Sequence, residues 1–291
     1  MLFTKKITII IALVFIISFV FCNENEIYIL HPNAASMVQK WTFEVEVSSE
    51  FDVPGVGYIQ DVRTFTRIIE YLGEEGGFGK LKLTLTDMKA NYRVSGLEVN
   101  DYYWTSMNNA PFLLYINSEG FVDHVEPVDK KDSYLQDAFE RKYDCHCGNY
   151  RFSFGQNASN YQSGKAVGDS WDVDWGPLPL YINDYSPVSL ESGKSVFTLK
   201  KVKKRNGREI AYIDIKENWK SEMHIVFPVA GERIFIDGGG DGVKNATVKW
   251  DMEDGRTISY KENGYLDGDF KWGDKEFSSR IWFKTASKLV K

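Results

Sequence analysis

Cys145, His146 and Cys147 stand side by side in Asp144-Cys145-His146-Cys147, and each is a side chain that can ligate zinc. A closed zinc site needs about four ligands at suitable spacing. The other histidines, His31, His124 and His224, are isolated in sequence, so the expectation is no metal. A Cys-x-Cys bridge closes a small, strained ring, and both a disulfide and a reduced pair stay open for Cys145 and Cys147. Ile236-Asp237-Gly238-Gly239-Gly240-Asp241-Gly242 is the other string with ligand chemistry. As a calcium loop it offers Asp237, Asp241 and Gly242 at positions one, five and six. Position three is then Gly239, and Val248 falls at position twelve, where a bidentate acid is required. A phosphate cradle lacks the following Lys-Ser/Thr. The segment is therefore expected to be a flexible lead-in to a strand over Ala246–Met252.

Ser170 is the candidate nucleophile. Gly168-Asp169-Ser170-Trp171 is similar to the Gly-Asp-Ser string of a class of esterases. Those enzymes carry it near the N-terminus of an α/β fold, with an Asp-x-x-His near the C-terminus. No histidine follows His224 in this chain, and a serine without a base is inert. The plainer expectation is a turn: Gly168 supplies backbone freedom, Asp169 caps it, and Trp171 anchors the next strand. No catalytic residue and no cofactor are expected.

Elements able to position these residues are almost all strands. Trp41, Phe43, Val45 and Val47 alternate with Thr42, Glu44, Glu46 and Ser48, the period-two pattern of a strand with one dry face. Leu81, Leu83 and Leu85 do the same. Asn206-Gly207 and Asp254-Gly255 are the strongest hairpin signals, because a type I′ turn needs positive φ at both central residues. Phe65–Thr86, built around a Gly-rich turn, resembles Phe197–Ile215, built around Asn206-Gly207. A second hairpin follows each copy, turning at Glu119-Gly120 and at Asp254-Gly255. An internal repeat of this kind bears on the whole fold.

Only 132–143 shows helical spacing, through Tyr134, Leu135, Ala138, Phe139 and Tyr143. The expected fold is mainly β. Two related antiparallel modules, 27–128 and 164–291, form a curved sheet or paired half-barrels. Between them, 129–163 holds the amphipathic helix and a loop over 144–163, which gates or fills a groove.

The first residues stand apart. Lys5 and Lys6 precede Ile7–Phe21, an apolar run with only Thr8 and Ser18 polar, which reads as an export signal over 1–22. Cys22 is also a candidate for lipidation, although Phe21 is bulky where a small residue is the rule. The 291 residues carry net charge −6, and loss of residues 1–22 removes Lys5 and Lys6 and no acid, giving −8. Such a chain lacks an electrostatic footprint for nucleic acid, and its negative surface repels anionic headgroups. Contact with a membrane is expected only through the N-terminal signal or anchor. Lys200-Lys201 and Lys203-Lys204-Arg205 are local exceptions, expected to be a solvated hairpin tip.

The order of features resembles a family of uncharacterised bacterial exported and lipid-anchored β-rich proteins. The resemblance rests on Val167-Gly168-Asp169-Ser170-Trp171, on Phe197-Thr198-Leu199 with Asn206-Gly207-Arg208, and on Trp250-Asp251-Met252-Glu253-Asp254-Gly255-Arg256. It implies an exported protein, periplasmic, envelope-associated or secreted, and brings no activity and no catalytic residues. With 16 Tyr, 19 Phe and 8 Trp, including Tyr102-Tyr103-Trp104 and Trp171–Trp175, aromatics are abundant. Inside a groove they would line a site for a lipid or other apolar small molecule. On a convex face they would read an envelope protein or a glycan. The expected function is non-enzymatic apolar binding, with the protein- or glycan-binding module as alternative and a serine hydrolase using Ser170 behind both.

Overall fold

Alternation builds the first half of the chain, as its sequence leads one to expect. In β1 (Lys40–Val53) Phe43 and Val45 are buried while Glu44 and Glu46 are exposed. In β2 (Gly57–Glu75) and β3 (Phe78–Val94) the buried set includes Ile59, Phe65, Ile69, Leu81, Leu83 and Leu85. Short strands β4 (Leu97–Val99), β5 (Pro111–Ile116) and β6 (Val122–Pro127) follow. The second half holds β7 (Ser170–Trp175), β8 (Leu178–Tyr181), β9 (Pro187–Arg205), β10 (Arg208–Val229), β11 (Glu232–Asp251), β12 (Arg256–Trp272) and β13 (Lys275–Val290). The computed structural model describes residues 40–99, 107–116, 122–135, 164–175, 178–181, 187–229, 232–254 and 256–290.

All these strands join one open antiparallel sheet in the order β6-β5-β3-β2-β1-β13-β12-β11-β10-β9-β7, with β4 on β3 and β8 on β9. Each half is a meander, and the first strand pairs with the last, from Thr42↔Val290 to Glu50↔Trp282. The two rims, β6 and β7, are therefore neighbours in sequence. Asn206-Gly207 makes the expected tight turn, with φ of +52° and +83°. Of the expected helix 132–143, Lys130–Leu135 forms a 3-10 turn and the remainder lies outside the described residues.

Cross-strand partners share a face, so register sorts the side chains. One face is apolar and buried, and the other is polar and exposed. The buried face carries three clusters. The first joins Phe43, Phe65, Leu83, Leu85, Phe112 and Leu114. The second joins Trp171, Phe197, Leu199, Ile213, Val248 and Trp250. A third, at the opposite end of the strands, crosses both halves through Phe51, Val53, Ile59, Ile236, Leu266 and Phe270.

The glycine segment corrects the expectation of a flexible lead-in: Gly238 to Gly242 lie inside β11, paired on both sides. Their lack of a Cβ makes room for aromatic rings. A Cβ on Gly242 would lie 2.0 Å from Trp219 Cε2, and one on Gly264 would lie 2.4 Å from Phe283 Cζ. The Trp219 and Phe283 rings meet at 5.6 Å between centroids. Glycine here is a packing choice rather than a hinge. Gly242→Ala is expected to lower stability by about 1–3 kcal/mol through overpacking. Asn245→Ala, on the exposed face, should change it by less than about 0.5 kcal/mol. Urea midpoints of the two variants check this, and equal midpoints would sink the ring-on-glycine account.

Candidate functional site

The sequence-predicted site residues scatter. Ser170 is exposed at the start of β7, its Oγ 2.8 Å from Thr198 Oγ1. Around it the expected turn is present. Gly168 has φ +98°, Asp169 Oδ2 accepts from Ala166 N at 2.8 Å, and Trp171 is buried and stacked on Phe197 at 5.6 Å. Thr198 pairs with Asp214, and His224 lies ten residues further along β10, roughly 33 Å at the rise of a strand. His224 is bonded to Asp237, and His124 on β6 stacks on Tyr115 at 4.1 Å. Cys22, His31, Tyr102-Tyr103-Trp104, Cys145, His146 and Cys147 lie outside the described residues. Among the described residues no three His, Cys, Asp or Glu side chains gather as a metal site.

What the register does bring together is a polar belt on the buried face, between the third apolar cluster and the other two. Glu217 pairs with Lys244 across β10 and β11, and Glu262 pairs with Thr285 across β12 and β13. Lys244 Nζ lies 2.6 Å from Glu217 Oε2 and 3.3 Å from Glu262 Oε2, with 12–20 % of these side chains accessible. Tyr260 donates to Glu262. On β2 of the same face Arg63 clasps Asp61, Nε to Oδ2 at 2.8 Å.

Burial disfavours the charge on Lys244, yet Tyr260, Glu262 and Glu217 hold its pKa well above the ordinary lysine value. Burial likewise raises Tyr260, reinforced by Glu262. Glu262 is lowered: burial pushes it up, but Lys244 and the hydrogen bonds from Thr285, Tyr260 and Lys244 outweigh that. Lys244 held between Glu217 and Glu262 makes the belt an ionic clamp. Sequence reasoning missed it, though a signal exists. Glu217, Lys244 and Glu262 each fall in phase with the inward-facing set of their strand, as in Ile213, Ile215, Glu217, Trp219.

The exposed face carries two shallow grooves. One, of about 550 Å³, crosses β10, β11, β12, β13 and β1 between rows that include Asp214, Lys216, Thr247, Lys261, Lys284 and Glu46. The other, of about 470 Å³, is lined by Asp267, Gly268, Asp269, Ser278, Ser279 and Arg280. Beside it Trp282, 46 % exposed, meets Tyr265 at 5.4 Å, and the Arg280 guanidinium sits 4.2 Å from the Tyr265 ring. Arg280 is fixed there by Asp267, Nη2 to Oδ2 at 2.6 Å. Glu50, opposite Trp282, accepts from Tyr58 and Gln60, which lowers its pKa, and the same bond pushes Tyr58 up to about 12.

The ionic clamp has a measurable signature. A lowered Glu262 adds stability above the ordinary carboxylate range and loses it as pH falls through the folded value. Lys244→Met leaves two buried carboxylates without their cation, at a cost of roughly 3 kcal/mol near neutral pH. With Lys244 gone the burial of Glu262 is no longer offset. Over about pH 3 to 8 the native protein should therefore gain stability as pH rises toward the ordinary carboxylate value, and the variant should lose it as pH rises beyond that value. Urea titrations across that range check the inversion, and parallel slopes would refute the clamp.

No family model matches the chain, and no curated protein sequence does. Among solved structures, lipovitellin, in a study of its lipid–protein interactions, is similar over 87 % of this chain at 9 % identity and TM-score 0.47. This chain spans a quarter of the length of that one, 25 %. The β domain of the Bordetella autotransporter BrkA is similar over 87 % of this chain and 99 % of its own at 10 % identity, TM-score 0.23. A mutant porin of Rh. blastica is similar over 85 % and 100 % at 9 % identity, TM-score 0.25. A barrel that spans a membrane turns an apolar band outward. In the described strands here Lys216, Lys249, Lys261 and Lys284 lie on the exposed face and the apolar set on the buried one.

Proposed function

We propose that this chain is an exported, non-enzymatic protein of the cell envelope that holds a lipid or other apolar ligand against the buried face of its sheet. One observation carries the reading. The apolar patch of the first half and that of the second are separate clusters on one face of an open sheet. The side chains of each patch are already buried within the chain itself. A one-sided sheet must also cover the face between them, and an apolar ligand lying there does so. The distribution of aromatics supports it: Phe43, Phe65, Phe112, Trp171, Phe197 and Trp250 are all buried. Export runs through residues 1–22, with Cys22 as the anchor where it is lipidated. Organic extraction of protein purified from an exporting host, followed by mass spectrometry, is expected to release a lipid in near-stoichiometric amount. Protein that is folded and ligand-free, and that takes up no fluorescent phosphatidylcholine, would exclude this function.

A second reading rests on Trp282. Its exposed ring beside Arg280, Asp267 and the hollow they line matches what a sugar needs, an apolar face and flanking hydrogen-bond groups. On this reading the protein is a glycan-binding module. Trp282→Ala should then abolish binding on a glycan array while lowering stability by about 1 kcal/mol at most, the worth of its cross-strand ring contact with Tyr265. A native protein that binds no glycan leaves the apolar reading alone.

A further inference from the structure

We infer that the tip of the β9–β10 hairpin docks this protein on an anionic phospholipid surface. Five of the six residues from Lys200 to Arg205 are cationic, Lys200, Lys201, Lys203, Lys204 and Arg205, and all five are exposed. The chain's net charge is −6, so the remaining residues carry −11. The molecule is therefore strongly polarised, and the repulsion expected from its net charge does not describe this end of it.

Backbone geometry concentrates the charge. Leu199 pairs with Ile213 and Lys201 with Tyr212, which leaves Lys200 as the extra residue of a bulge. A bulge re-aims side chains, and here both lysines reach the exposed side. Lys200 Nζ lies 3.9 Å from Asp214, and Lys201 sits 4.9 Å from the Tyr212 ring. Lys249 reaches the same ring at 5.8 Å, and the row Tyr212, Lys249, Ser259, Lys288 carries the basic band across the sheet.

Neighbouring acids offset this charge only in part: Asp214 pairs with Lys200, and Glu209 stands opposite Lys204 in register. Arg208 gathers Asp251 at 2.7 Å, Asp254 at 2.6 Å and Glu253 at 3.5 Å. Among the described residues, Lys203, Lys204 and Arg205 have no carboxylate at ion-pair distance.

The geometry points to a surface rather than a small anion. The five cations extend over roughly 17 Å of strand, and neither of the two grooves described above includes them. Orientation agrees. The antiparallel pairing places this hairpin at the same end of the sheet as the start of β1, where residues 1–39 join. Those residues include Cys22, the anchor of the proposed function where it is lipidated. The inference stands whether or not the buried face holds a ligand.

The mature chain, residues 23–291, is to be co-sedimented with vesicles of phosphatidylcholine alone and of phosphatidylcholine mixed with phosphatidylglycerol, at low and high salt. Binding to the anionic vesicles only, lost at high salt, is expected. At roughly fivefold per cation, Lys203→Gln/Lys204→Gln/Arg205→Gln should weaken it about 100-fold. Adding Lys200→Gln and Lys201→Gln should bring the loss to about 3,000-fold. Lys271→Gln/Lys275→Gln, at the other end of the sheet, should leave it unchanged. An unaltered urea midpoint of the triple variant shows that docking, not folding, was removed. Equal binding to neutral vesicles, or retained binding by the triple variant, would overturn the inference. So would displacement by millimolar inorganic phosphate, which marks a small-anion site, or tighter binding to duplex DNA.

Discussion

The pairing of β1 with β13 is the constraint on which the rest of the structure depends. Nine residue pairs, from Thr42↔Val290 to Glu50↔Trp282, join the two ends of the described chain. Closing so long a loop costs only slightly more than closing a shorter one, since the entropy grows with the logarithm of length. The return is large. Two meanders that would each expose an edge become one sheet, and two of their free edges disappear. Register matters as much as pairing, because a slip of one residue turns every side chain to the other face. Phe43 opposite Leu289 and Val45 opposite Ser287 hold it in phase. In that phase Phe51 and Ile281 join one cluster, and the third apolar core spans both halves.

Elements that depend on local chemistry were legible in the sequence. Period-two alternation found β1 and β3, Asn206-Gly207 marked its hairpin, and the turn at Gly168 with Trp171 as core anchor is as the residue types imply. Anything decided by a distant strand was not. Gly238 to Gly242 look like a flexible string until β10 and β12 place Trp219 and Phe270 over them. The charged residues of the belt look like solvated polar positions until pairing brings Lys244 between Glu217 and Glu262. Lys200 and Lys201 should face opposite ways by alternation, and only the bulge aligns them.

The belt also sets what an apolar occupant of the buried face could be. It lies between the third cluster and the first two, so it divides that face into two apolar regions. Its described charges are Asp61, Arg63, Glu217, Lys244 and Glu262, which are paired within the belt and leave one excess negative charge; Arg67, a further cation of this face, lies beyond the belt over the Phe43 ring. Desolvating a carboxylate headgroup beside that excess is unfavourable, since like charges repel strongly where water is scarce. On the proposed reading, a neutral or zwitterionic polar group placed at the belt meets no such opposition, and its chains extend over the apolar side chains on either hand. On that reading, the face that stabilises the sheet by burying Phe112 and Trp250 also discriminates among ligands, through the few residues that break its apolar pattern.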